Sequence, residues 1–256
     1  MIRTNAVRLA AAVATLAAVT AGGQQPTAGV AASSLPPAAT LVAKYASAIG
    51  APAMMKAPQI TTRGGLTMPA AGLNATFEMV QVAPNKMRML TTIPGVGAIQ
   101  VGFDGTAGWS VDPMQGPRVL SGKELDEIRE QADPRAAGRA PELFSALQTV
   151  ADTTMAGEQC YMVKLTWKSG RETFDCYSGK TGLMVGSKNV QQTAMGAIPV
   201  TMTYSDYKRF GDFMVPTKMV QSMMGQQQVT TITAVEVAAA AGVVITMPAE
   251  VQALKK

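Results

Sequence analysis

The sequence predicts a mainly β chain with some helix, of the α+β class: a large antiparallel sheet curled around a helical insert. Three observations carry that expectation. Short stretches with period-two alternation succeed one another from Gln59 to Leu120 and again from Gln159 to Val237, as in Leu73, Ala75, Phe77 and Met79 against Asn74, Thr76 and Glu78. Gly, Pro and Asn stand at their joints, where a meander turns. Helical patterns stand before the strands and in the middle of the chain instead of alternating with strands, which argues against βα units.

Taken in order, the first element is an export signal. "MIRTNAVRLAAAVATLAAVTAGG" has Arg3 and Arg8 ahead of an apolar run from Leu9 to Val19. That run is shorter than the roughly 20 residues a bilayer span needs. Val19-Thr20-Ala21 supplies the small residues of a cleavage site, so residues 1–21 read as a signal peptide and the destination as a bacterial periplasm. Residues 22–38, small and Pro-containing, read as a disordered leader, and the folded domain is expected over 39–256. "VEVAAAAGVVITM" (235–247) is short and carries Glu236, so no integral membrane segment is expected in the exported chain.

The domain begins with a helix, since Leu41, Val42, Tyr45 and Ile49 share one face and Gly50 can stop it. Strands are then expected near 59–68, 73–83, 86–93, 97–103, 107–112 and 117–120. "SGKELDEIREQAD" opens with Ser121 and Glu124 at capping-box spacing and predicts a polar helix. "APELFSALQTV" (140–150) predicts a second one, with "DPRAAGR" as a mobile connection. Further strands are expected at 159–168, 171–177, 182–192, 197–208, 212–224 and 226–237, giving about eleven or twelve in all.

Composition narrows the chemistry. The chain has no histidine, which removes Ser-His-Asp and Cys-His catalysis and the usual zinc and iron sites. The net charge is +5, two of which belong to Arg3 and Arg8, and no basic stripe interleaved with aromatics marks a nucleic-acid partner. "SGKTG" (178–182) mimics the end of a phosphate-binding loop, but Phe174 stands where that loop needs its first glycine. Asp104, Asp112, Asp175 and Asp206 lie in or near turns and read as turn caps, with nothing to set two of them at the spacing of a carboxylate hydrolase. No cofactor is expected, and the chain reads as a non-enzyme.

Cys160 and Cys176 are the only cysteines. They are too far apart for a CxxC motif and too few for a metal, so in an oxidising compartment a disulfide competes with two separate buried thiols. A two-residue turn at Ser169-Gly170 would set Cys160 opposite Gly179 and turn the thiols to opposite faces; direct pairing needs a hairpin centred on Lys168. Eighteen methionines stand against two Trp, five Tyr and six Phe. Methionine is flexible and polarisable, so its abundance in strands suits either a cavity for acyl chains or adaptable core filling.

Together, "LVAKYASAIG", "APNKMRML", "GFDGTAGWSVDP" followed by "LSGKELDEIREQAD", "CYMVKLTWKSGRETFDCYSGKTGL" and "SDYKRFGDFMVPTKM" resemble the outer-membrane lipoprotein-sorting (LolA-like) family over roughly residues 39–248. The resemblance implies a half-open antiparallel β-barrel with an apolar concave face, an N-terminal helix and a two-helix lid. It also implies a carrier that shelters lipoprotein acyl chains or other lipids. Arg63 and Arg88 fall in the half of the chain where the family carries a basic residue near the lid, and no role is assigned to either.

Alternation then selects the expected cavity wall: Leu73, Phe77 and Met79 on one strand, Met87 and Met89 on the next, and Ile198, Val200 and Met202 on a later one, lining one pocket. A single sixteen-carbon chain buried there would gain on the order of 10 kcal/mol before losses. The expected partners are acyl chains of a lipoprotein or lipid, with envelope membrane proteins as a further class, and the chain is expected to be a monomer. The competing functions are a non-catalytic envelope interaction module and, more remotely, a carboxylate-dependent hydrolase.

Overall fold

The computed structural model describes residues 35–193, 196–240 and 242–255. Helices α1 (Ala38–Ile49) and α2 (Ala51–Met54) come first. A meander of six strands follows: β1 (Gln59–Met68), β2 (Leu73–Val82), β3 (Lys86–Ile93), β4 (Gly97–Phe103), β5 (Gly108–Asp112) and β6 (Gly116–Val119). After α3 (Gly122–Ala132) and α4 (Pro134–Ala137), seven more strands run as β7 (Phe144–Met155), β8 (Glu158–Trp167), β9 (Glu172–Ser178), β10 (Met184–Thr193), β11 (Gly196–Phe210), β12 (Phe213–Met223) and β13 (Gln226–Ala238), and α5 (Ala249–Gln252) follows them, continued by a 3₁₀ turn at Ala253–Lys255. Among the described residues, all thirteen strands form one antiparallel sheet in the order β6-β5-β4-β3-β2-β1-β13-β12-β11-β10-β9-β8-β7. The sheet is open, a half-barrel in which β1 and β13 join the two meanders and β6 and β7 are the free edges. The α3–α4 insert is the connection between those two edges, so the topology itself carries it across the mouth.

Two faces follow from the register. On the inner face, α1 buries Leu41, Val42, Tyr45 and Ile49 against Val163, Leu165, Trp167 and Tyr177 of β8 and β9. Each such side chain contributes roughly 1.5–3 kcal/mol of burial. Helix α3 lays Ile128 and Ala132 on Met87, Phe103 and Leu120. The outer face carries a separate layer, in which Ile245, Met247 and Val251 of the C-terminal segment cover Val80, Val82 and Trp109. That segment is tied down where Gln59 Oε1 accepts from the backbone N–H of Gly242 and Val243. Gly64 marks a bulge in β1, where a side chain would collide with the carbonyl of Thr231 and the Phe77 ring packed over it.

Several expectations are corrected. Residues 140–150 are not a second helix: a single 3₁₀ turn at Pro141–Leu143 leads into β7, which pairs with β8 from Phe144↔Trp167 to Met155↔Glu158. Phe144 and Leu147 fit a helical spacing, but Thr149, Val150, Thr153 and Thr154 favour a pleated surface and β8 supplies the partner. The lid is therefore one helix, α3, and the four-residue α4. The capping box is not made either. Ser121 is the N-cap without a side-chain hydrogen bond, because Glu124 is drawn to Arg118, whose Nη1 and Nη2 both donate to it.

The hairpin holding the cysteines is centred on Ser169, not on Lys168. Cys160 faces Ser178, and the disulfide runs on the diagonal to Cys176, with Cα atoms 5.5 Å apart. Both sulfurs lie on the outer face, in a cluster with Met155, Met162 and Val185. The expected signal peptide, residues 1–21, and the leader up to residue 34 lie outside the described residues. The last residues assigned to that leader are packed, since Thr149 Oγ1 donates to Pro36 O at 2.7 Å and α1 starts at Ala38.

Candidate functional site

Register places all eight expected wall residues on the inner face. Gln81↔Met87 and Met79↔Met89 align β2 with β3, and Met202↔Gln221 and Tyr204↔Met219 align β11 with β12. They do not all line one pocket: α3 lies across the concavity, and the two spaces beside it meet along Met89, Glu127, Gln131 and Gln191. On one flank of α3, Met87 and Met89 join Arg118, Glu124 and Gln131 around about 370 Å³. A space of about 320 Å³ at β10–β12 has Met89, Val200 and Met202 beside Asn189, Gln191 and Gln221. Met79 alone of the eight faces a third cavity, of about 300 Å³, beneath α1 and α4. Leu73, Phe77 and Ile198 line none of these three; Phe77 is spent on covering Gly64.

The third cavity differs in chemistry from the other two. Its wall is Ile49, Met54, Ile60, Met184, Phe213, Met214, Val215, Met219, Ile232 and Val235, with Thr62, Gln81, Arg139 and three tyrosines as its polar members. Such a concave, mostly apolar space with a few convergent polar groups is the usual form of a small-molecule site. Four elements of the second meander contribute because a bulge-free run of β11–β12 pairs from Val200↔Met223 to Ser205↔Lys218 keeps Met219 and Tyr204 on the inner face.

At its polar side, Arg139 stands just past α4 with φ of 54°, which turns its side chain back under the insert. Its Nε donates to Asp175 Oδ2 at 2.7 Å and its Nη1 to Ala136 O at 2.6 Å. The hydroxyl of Tyr177 donates to the same Asp175 oxygen at 2.9 Å. Asp175 is 1% exposed, and its Oδ1 is buried with no hydrogen-bond partner among the described residues. Burial works against the Arg139 charge, but Asp175 outweighs it and holds the guanidinium firmly protonated. Burial raises the pKa of the Tyr45, Tyr177, Tyr204 and Tyr207 hydroxyls, so they are neutral donors at physiological pH.

Sequence reading missed both partners of this pair. Asp104 and Asp112 do cap turns, accepting from Thr106 N and Ala107 N and from Met114 N and Gln115 N. Asp175 instead sits in the middle of β9, and a single inward charge among apolar neighbours is the signal that could have found it. Arg63 and Arg88 are both on the outer face, bound to Glu78, and do not approach the cavity.

The insert is held over the concavity by polar contacts opposite its apolar ones. Arg171 and Ser169 of the β8–β9 loop bind Glu130, Gln192 N donates to Glu127 Oε1 at 3.0 Å, and Gln81 Nε2 donates to Gln131 O at 3.0 Å. Among the described residues no group of three or more acidic or cysteine side chains could hold a metal ion, and no helix is long and apolar enough to cross a membrane.

No family model matches this chain, and no curated protein matches it in sequence. Solved structures do. A LolA superfamily protein from Nitrosomonas europaea superposes with a TM-score of 0.54 at 14% identity, over 80% of this chain and 94% of the other. A DUF1329 family protein from Desulfovibrio piger superposes with a TM-score of 0.53 at 12% identity, over 80% of this chain and 95% of that one. With its open antiparallel sheet, N-terminal helix and inner-face insert, the chain has a LolA-like fold.

Proposed function

We propose that this chain is a non-catalytic periplasmic carrier or chaperone that shelters acyl chains, of a lipoprotein or of another lipid, against the inner face of its half-barrel. The observation that carries the reading is the cavity of about 300 Å³ beneath α1 and α4, walled by methionine, aromatic and branched aliphatic side chains. A solid core would leave no such volume, whereas ligand sites run from roughly 300 to 1,000 Å³. The LolA-like fold and the apparent signal peptide support the same compartment and ligand class. Methionine at Met54, Met79, Met184, Met214 and Met219 lets the wall adapt to a chain without a fixed shape.

The test is binding of a fluorescent acyl probe to protein stripped of lipid by unfolding and refolded. Wild type should bind at micromolar concentration, and Met219→Glu should weaken binding at least tenfold while the protein still unfolds cooperatively. Absence of binding to refolded wild type would overturn the carrier and leave the envelope interaction module in its place.

A further inference from the structure

The polar side of the cavity is not finished by the protein's own groups. Tyr45 is 9% exposed, lines the cavity, and its hydroxyl has no hydrogen-bond partner among the described residues. Arg139 uses Nε and Nη1 on Asp175 and Ala136, while its Nη2 makes no hydrogen bond among them. Tyr204 and Tyr207, by contrast, are engaged with Ser187 and Met184 O. Neither donor is among the buried polar atoms left without a partner, so both open onto the cavity, and two unused donors beside an apolar space mark where an acceptor can bind.

The charge state of the site selects the acceptor. Asp175 already neutralises Arg139 and has a second oxygen with no partner, so a further anion would enter a low-dielectric site that holds an uncovered carboxylate. A neutral carbonyl accepts from both donors with no such penalty. The volume, at the lower end of the range for ligand sites, suits one chain better than several.

Resting on the carrier reading above, we propose that Tyr45 and Arg139 form a head-group site for a single acyl chain whose carbonyl is neutral, an ester or amide and not a free fatty acid. Tyr45 Oη–H and Arg139 Nη2–H donate to that carbonyl oxygen, and the chain lies toward Met79, Phe213, Met219 and Ile232.

The test compares three ligands of one chain length, a monoacylglycerol, an acyl ethanolamide and the fatty acid anion, by displacement of a fluorescent acyl probe from refolded full chain at pH 7.5. At least one neutral ligand should bind about tenfold tighter than the anion, and the tighter of the two tells ester from amide. Tyr45→Phe should weaken the neutral ligands about five- to tenfold and leave the anion nearly unchanged. Asp175→Asn, which frees the Arg139 charge, should invert the order so that the anion binds best, an outcome that a merely structural role for Asp175 would not produce. Circular dichroism melting identifies variants that fold; Tyr45→Phe keeps the ring and still decides the matter if Asp175→Asn does not fold. An anion bound as tightly as both neutral ligands, or a Tyr45→Phe variant with unchanged selectivity, overturns the head-group site while leaving the acyl carrier intact. Failure of wild type to bind the probe at all overturns both.

Discussion

The Arg139–Asp175 pair ties the segment just past α4 to the sheet, and its removal can be reckoned from the structure. Asp175 is 1% and Arg139 17% exposed at the side chain, joined at 2.7 Å. Asp175→Leu leaves a nearly buried guanidinium with one carbonyl partner, and Arg139→Met leaves a buried carboxylate with one phenol. Removing one member of such a pair costs about 3–5 kcal/mol. Replacing both with apolar residues of similar volume removes the charge problem, so Arg139→Met/Asp175→Leu should cost no more than about 1–2 kcal/mol, part of it from the stranded Tyr177 hydroxyl. Urea unfolding of wild type, both singles and the double measures the cycle, and the expected coupling is several kcal/mol. Native-state hydrogen exchange should show the singles loosening α3 and α4 first, because Arg139 follows α4 in the chain and Asp175 belongs to the sheet. Additive single costs, with coupling below about 1 kcal/mol, would refute the claim that the pair is desolvated and interdependent.

Three other outcomes can be checked separately. Reduction of the disulfide, or Cys160→Ala/Cys176→Ala, should lower stability by about 3 kcal/mol in chemical denaturation, as expected for a closed loop of this size, while acyl-probe affinity stays the same because the bridge lies on the outer face. Burial raises the pKa of Glu127 first, with its bond from Gln192 N and the charge of Arg171 working against that; a carboxyl raised in the fold loses stability as pH climbs through its unfolded and then its folded pKa. Glu127→Gln should therefore be more stable than wild type at pH 7, with the gain fading below about pH 4, as read from thermal melting across that range. Gly64→Ala should cost about 1–3 kcal/mol in urea unfolding, since the added methyl meets Thr231 O and the Phe77 ring.

How much of this was legible beforehand depended on whether the relevant signal was local. Period-two alternation and Gly or Pro at the joints marked twelve of the thirteen strands closely, because pleat and turn chemistry are written in neighbouring residues. The α1 face of Leu41, Val42, Tyr45 and Ile49 was equally plain, as was Gly50, whose φ of 76° ends it. The absence of histidine excluded Ser-His-Asp and Cys-His arrangements without any structure. The inner orientation of Met79, Met89 and Met202 also follows from alternation alone.

What only the tertiary structure decided were the contacts between distant segments. β7 is a strand because β8 offers it a ladder, against the helical spacing of Phe144 and Leu147. The cysteines meet because a hairpin loop one residue longer than the tightest turn shifts its centre to Ser169 and returns both sulfurs to one face. Asp175 finds Arg139 36 residues away in sequence, and the expected wall residues do not all line one pocket, since where a helix crosses a curved sheet is fixed by its packing and ion pairs. Periodicity specifies which way a side chain points; what it points at is settled only when the chain closes on itself.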